Sequence, residues 1–193
     1  MQKNICKMRK LKILSSIVFL CLAISVLPAF RLIANAEVIA TCETIGTFTT
    51  EFDSPKSARG KNIKLAAEKI DRIIIESGQE FSYNEAVGPS TQKRGFKLAK
   101  IFIKGEEHKG FGGGICQVSS TLYNAVLEAG LEVTERHEHS KEVKYVPENR
   151  DATTSYGGVD FKFFNNLDCP VIIRAYTSGN TITTTIEAVI SFD

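Results

Sequence analysis

The stretch GFGGGICQVSSTLYNAVLEAGL, residues 110–131, constrains the fold more than any other part of the chain. Val118, Leu122, Ala125, Val126 and Ala129 recur at three- and four-residue steps and so fall on one face of an α-helix; Gly130 supplies the stop, and three glycines precede the start. A helix with one apolar stripe must bury it against another layer. That layer is legible near the other end of the chain, where residues 159–189 read as strands joined by Asn-Asn and Ser-Gly-Asn turns.

A second amphipathic helix is expected over residues 62–77, where Ile63, Ala66, Ala67, Ile70, Ile73 and Ile74 share a face, with Asn62 as cap and Gly78 as stop. Residues 78–90 are turn-rich, and residues 97–110 carry strand and hairpin signals around Ile101 and Ile103. Helices come early and strands late. The expected class is therefore α+β, a single domain with two main helices packed on a largely antiparallel sheet.

Residues 1–36 have the layout of a secretory signal peptide: Lys3, Lys7, Arg9, Lys10 and Lys12 without an acidic partner, an apolar run from Ile13 to Phe30, then Ala34-Asn35-Ala36. The run is nearly long enough for an N-terminal membrane anchor of about 20 residues. Pro28 and the small residues two apart favour cleavage after Ala36. Either way, residues 37–193 are expected to form one domain outside the cytoplasm, secreted or anchored at the cell wall.

Without the leader, which holds six Lys and Arg and no acid, 18 basic residues face 22 acidic ones, a formal net charge of −4. A slightly acidic domain without basic clusters is a poor partner for nucleic acid, whose binding rests on phosphate neutralisation. Three cysteines remain, Cys42, Cys116 and Cys169, too few for a disulfide framework. If Cys42 pairs with Cys169, Cys116 is left free; if none pair, each reads most simply as a small buried hydrophobe.

Cys116 stands where the helix begins, and a helix start offers unpaired N–H groups and a partial positive charge that stabilise a thiolate. Gly112, Gly113 and Gly114 remove side chains where a substrate backbone would approach, and the amides near Gly114 to Gln117 could cradle an oxyanion. No Gly-Lys-Ser/Thr follows, so phosphate binding is the weaker reading. The spacing is also wrong for a metal, since no second cysteine lies near Cys116 and His137 and His139 make only a pair. Neither metal nor cofactor is expected.

A cysteine nucleophile needs a base, and the base needs a group to hold its tautomer. His108 sits at a polar hairpin tip and reads as a surface residue. In residues 131–146, Leu131, Val133, His137, His139, Val143 and Tyr145 share one parity, so an extended element would point both histidines to the side of the core residues.

The segments GGGICQVSSTLYNAVLEAGL, ERHEHS, VKYVPENRDATTSYGGVDFKFFNN and CPVIIRA, with NIKLAAEKI, GQEFSYNEAVGP and KRGF, resemble the VanW family of extracytoplasmic proteins from Gram-positive bacteria. The resemblance runs from Phe48 to Thr185. It implies a link to vancomycin-resistance clusters and, for some members, L,D-transpeptidase chemistry that cross-links peptidoglycan through a cysteine. Carried over by residue, Cys116 is the expected nucleophile, and the Glu-Arg-x-x-His-Ser pattern at Glu135, Arg136, His139 and Ser140 selects His139 as base. Asp151, in the Arg-Asp-Ala-Thr element, is the expected orienter. Substrate contacts are expected from Gly112, Gly113, Gly114, Gln117, Ser119, Arg136, His137, Arg150 and Tyr156.

Two readings of function follow. One is a cysteine L,D-transpeptidase acting on peptidoglycan stem peptides through a thioester; the other is a non-catalytic peptide-binding accessory to glycopeptide resistance. The first is preferred. Peptidoglycan stem peptides are the expected partners in both, and the membrane only through an uncleaved leader.

Overall fold

The computed structural model describes residues 39–103 and 106–192. The expected leader, residues 1–36, lies outside them. The described residues begin with a long strand, β1 (Ile39–Glu51), followed by helix α1 (Ala58–Ile70), short strands β2 (Ile74–Ile75) and β3 (Glu80–Ser82), and one turn of helix, α2 (Tyr83–Val87). A hairpin of β4 (Leu98–Ile103) and β5 (Glu106–Phe111) leads into the main helix, α3 (Ile115–Ala129). Then come β6 (Glu132–Glu135), β7 (Lys162–Phe164), β8 (Val171–Ser178) and β9 (Thr181–Phe192).

The main sheet has the order β1-β9-β8-β2, a second sheet β3-β7-β6, and the hairpin β4-β5 stands apart; every pairing among the described residues is antiparallel. The α+β class is the observed one. Strands are not confined to the end of the chain, however, because β1 opens the domain and pairs along its length with β9, the last strand.

Strict alternation along β8 and β9 puts Val171, Ile173 and Ala175 with Ile182, Ile186, Ala188 and Ile190 on one buried face. The stripe of α3 read from the sequence, Val118, Leu122, Ala125, Val126 and Ala129, is fully buried with them, and Ile63, Ala66, Ala67 and Ile70 of α1 complete the core. Burying one such isoleucine or leucine contributes about 1.5–3 kcal/mol. Helix α3 also lies hard against β1. At Gly46, beside a bulge in β1, an added Cβ would sit 2.2 Å from the Ala125 carbonyl oxygen and 2.6 Å from the Ala129 nitrogen, so only glycine admits the helix at that distance.

Helix α1 departs from expectation at both ends. Its cap is Ser57, whose hydroxyl accepts the Gly60 N–H at 2.9 Å. Asn62 is buried instead, and its amide bridges two loops: Nδ2 donates to Lys97 O and Gly113 O, each at 3.0 Å, and Oδ1 accepts from Lys97 N at 2.7 Å. The helix ends at Ile70 because the β-branched residues after it pair with β8 at Ile74↔Ile172 and Ile75↔Val171. Their spacing satisfies a helix as well as a strand. The open edge of β8 decides.

The alternation through residues 131–146 is also not one strand. Strand β6 ends at Glu135, with its register against β7 shifted between Val133 and Glu135, and irregular chain follows. A backbone bond from Thr153 N to His137 O, 2.9 Å, helps hold that stretch to residues 150–154.

Candidate active site

Helix α3 starts at a glycine cap, Gly114, at φ 109°, a conformation costly for any residue with a Cβ. The neighbouring loop is equally restricted, since a Cβ on Gly113 would lie 2.3 Å from the Lys100 carbonyl oxygen. Asn62 grips this loop from below through Gly113 O. Backbone, not side chains, therefore lines this approach to Cys116. Ile115 and Gln117 donate their N–H groups to Gly112 O and Gly114 O, both at 3.0 Å, which leaves the Cys116 N–H as the first-turn amide without a protein acceptor among the described residues.

The same helix positions the opposite wall with a buried polar stripe. Ser119 Oγ donates to Ala152 O at 2.6 Å, Ser120 Oγ accepts from Ala152 N at 2.9 Å, and Asn124 Nδ2 donates to Arg150 O at 2.7 Å. These bonds clamp residues 150–154 along α3 and bring Asp151 to His139. Asp151 Oδ2 accepts from the His139 backbone N–H at 2.7 Å and meets Nδ1 of the ring at 2.5 Å, while Oδ1 accepts from Arg136 Nη2 at 2.8 Å. Arg136 is held in turn by Glu138, at 2.7 Å, and by the Tyr123 ring, 5.5 Å from its centroid.

With Nδ1 facing a carboxylate, Nε2 is left to exchange a proton. The group poised to take part is the Cys116 thiol, which lines the same cleft as the His139 ring and whose own polar contacts are Thr154 O at 3.5 Å, Thr153 Oγ1 at 3.8 Å and Thr154 Oγ1 at 4.0 Å. Burial alone would push the thiol up, but the neighbouring His139 side chain, a hydrogen bond to the Thr154 backbone and the imidazolium charge hold it below the ordinary thiol range. Burial likewise disfavours the imidazolium, and Cys116 first, then Asp151, raise His139 above its usual value. Burial also opposes ionisation of Asp151; the His139 N–H groups and Arg136 keep it below the normal carboxylate range. All three shifts favour a thiolate–imidazolium pair with a carboxylate behind it.

Cys116 and His139 line an open cleft of about 630 Å³. Gly112, Gly113, Gly114, Gln117 and Tyr156 line it. Four other residues expected to contact substrate do not. Ser119 is fully buried and spends its hydroxyl on Ala152 O. Arg136 stands behind Asp151. Arg150 is exposed away from the cleft, with its carbonyl held by Asn124. His137 turns outward to Glu135, 3.1 Å from Nε2, because the chain leaves the strand after Glu135 and the two histidines no longer share a side. Glu135 itself is held down to about 2, chiefly by the Lys162 ammonium.

Several cleft residues escaped the reading of the sequence. Tyr83 is fully buried, reaches the helix start by donating to Ile115 O at 3.0 Å, and has its phenol raised by burial and by Cys116. Tyr145, also raised by burial and then by Cys116, lines the cleft; its parity with His139 was the available signal. Thr153 and Thr154 lie in the segment that carries the family resemblance, but only tertiary contacts bring them to Cys116, and Arg59, which meets Gln117, had no signal. Cys42 is a free, exposed thiol, so the pairing of Cys42 with Cys169 does not occur. No cluster of three or more metal-binding side chains occurs among the described residues, and no helix there is long and apolar enough to cross a membrane.

Fold and site together define a class, an α+β domain with a cysteine–histidine–aspartate cluster at the start of its central helix. The chain belongs to the VanW family, described as VanW like protein, whose model matches residues 58–187. It is 44% identical over 154 residues to "Uncharacterized protein YoaR" of Bacillus subtilis, covering 79% of this chain and 51% of that protein. Over 115 residues it is 32% identical to "Vancomycin B-type resistance protein VanW" of Enterococcus faecalis, covering 56% of this chain and 41% of that one. The chain thus spans about half the length of the curated relatives it matches. No solved structure matches it.

Proposed function

We propose that this protein is a cysteine acyltransferase of the L,D-transpeptidase type, acting outside the cytoplasm on peptidoglycan stem peptides. The observation that carries the reading is that Cys116 and His139 line one open cleft, with Asp151 bonded to Nδ1 of the His139 ring behind it. A buried cysteine serving only as a small hydrophobe needs no such partners.

The Cys116 thiolate attacks the carbonyl carbon at the L-centre of the diamino acid in a tetrapeptide stem. A C–S bond forms, and the oxyanion faces the free Cys116 N–H, one such donor being worth about 3–4 kcal/mol in other enzymes. The intermediate collapses, the C–N bond breaks, and His139 gives its proton to the departing D-alanine amine. The resulting thioester is resolved by an amine of a second stem, whose proton His139 takes as the thiolate leaves. Water in place of the amine makes the same reaction a carboxypeptidase. The link to glycopeptide resistance named for the Enterococcus relative would then follow from altered cross-links in the wall.

The test is intact-mass spectrometry after incubation with a stem tetrapeptide or a reactive carbapenem. An adduct on the wild-type protein that is absent from Cys116→Ala supports the reading. Peptide binding without any adduct or released D-alanine would make the domain a non-catalytic accessory.

A further inference from the structure

The cleft has an uneven charge. None of the side chains lining it is Asp or Glu, whereas Arg59, Lys100 and His139 are there. Lys100 is already paired with Glu107 at 2.7 Å, and His139 with Asp151. Arg59, half-buried in the first turn of α1, has no carboxylate partner among the described residues. Its Nη2 donates to Gln117 Oε1 at 2.6 Å, and its other guanidinium N–H groups have no protein acceptor among the described residues.

A buried network aims that cation. Gln117 is 1% exposed, and its Nε2 donates to Thr50 Oγ1 at 2.9 Å and Glu51 O at 2.8 Å, so its Oε1 must point at Arg59. Thr50 Oγ1 lies 2.8 Å from Thr121 Oγ1, which donates to Gln117 O at 2.7 Å. The network is satisfied throughout its interior and opens only at the guanidinium. A planar fork with free donors in an acid-free cleft suits a carboxylate.

Position identifies which carboxylate. Gln117 follows Cys116 directly, and a Cβ on Gly114 would lie 3.0 Å from Arg59 Cγ. Arg59 and Cys116 line the same cleft, Arg59 meeting the residues on either side of the Ile115–Cys116 pair, and an extended peptide in it spans roughly 3.3–3.6 Å per residue. We propose that Arg59 is a carboxylate anchor that makes the cleft select peptides whose C-terminal residue, carboxylate free, is the one adjacent to the carbonyl at Cys116. The proposal rests on the acyl-transfer reading above for the scissile bond, and its test separates the two. Arg59 binds the leaving residue before reaction; Cys116 and His139 do the chemistry.

The experiment titrates a synthetic stem tetrapeptide ending in D-alanine, and the same peptide as its C-terminal carboxamide, into protein carrying Cys116→Ser so that no turnover intervenes. The acid is expected to bind about 10- to 100-fold more tightly than the amide, the span of one charge-assisted hydrogen bond or a bidentate pair. Arg59→Gln is expected to weaken the acid alone and erase the difference, and Arg59→Lys to keep part of it. Equal binding of acid and amide, failure of the acid to bind, or an equal loss of both in Arg59→Gln, as a merely structural role would give, overturns the anchor. Arg59-dependent selection of the acid without an adduct on the wild-type thiol refutes the transferase and leaves the anchor standing. An adduct formed without preference for the acid does the reverse.

Discussion

Replacing Asp151 by Asn keeps the shape of the side chain and removes its charge. The carboxylate serves three donors, the His139 backbone N–H, His139 Nδ1 and Arg136 Nη2. An amide oxygen can keep one of its bonds on each side only by turning an NH2 group toward one of these donors, which then faces no acceptor. Arg136 is least harmed, since it retains Glu138 and the Asp151 main-chain oxygen, the latter 2.7 Å from Nε. The loss therefore falls on His139. One hydrogen bond to a charged group is worth about 1.5–3 kcal/mol, and the imidazolium loses that support. Its support for the neighbouring thiolate falls with it. Thiolate-dependent alkylation of Cys116 at neutral pH is expected to slow by about 10- to 150-fold, followed by peptide mapping after limiting iodoacetamide. The pH profile should change in a defined direction. In the wild type the reactive pair is present above the lowered pKa of Cys116 and disappears as pH rises through the raised pKa of His139; in Asp151→Asn both edges move inward. Asp151 is also a group whose folded pKa is depressed, so its stabilising effect is present above the unfolded carboxylate value and is lost as pH falls through the folded one. Unchanged alkylation in a folded Asp151→Asn protein would refute the orienting role.

His139→Ala should abolish acylation, and His137→Ala should leave it within about threefold, because His137 contacts Glu135 outside the cleft; acyl-enzyme yields by mass spectrometry compare them. Limiting alkylation should label Cys116 before Cys42, although Cys42 is the more exposed thiol, since thiolate content outweighs access. Gly46→Ala should lower stability by about 1–3 kcal/mol or more through overlap with the α3 backbone; an unchanged melting temperature contradicts the close approach. If residues 1–36 act as the export leader read from the sequence, the domain is expected outside the cytoplasm in a fractionation of the host, and recovery of the native protein in the cytoplasmic fraction would sink the wall-directed reading.

Much was legible in the sequence because it is locally encoded. The stripe of α3, its glycine boundaries and the position of Cys116 at the helix start follow from residue order alone, as does the alternation of β8 and β9. The α+β class follows from these. Where two local patterns were both satisfied, the sequence did not choose. Residues 70–75 fit a helix face and a strand equally, and the edge of β8 decided. Residues 131–146 alternate like a strand, but the ladder ends at Glu135, and a side chain, Asp151, catches the His139 backbone in place of a neighbouring strand. Parity therefore failed as a guide to the two histidines.

Only tertiary structure decided the rest. Asp151 reaches His139 because Ser119, Ser120 and Asn124 hold residues 150–154 against α3, a contact no spacing announces. Arg59 faces the cleft because Gln117, fixed by Thr50 and Glu51, leaves it one orientation. The reason is common to both. A helix stripe or strand alternation is a period in one chain segment, readable from that segment; a buried hydrogen bond between segments 26 to 67 residues apart depends on how the layers stack, and the cost of leaving either partner unpaired selects it only once the core has formed.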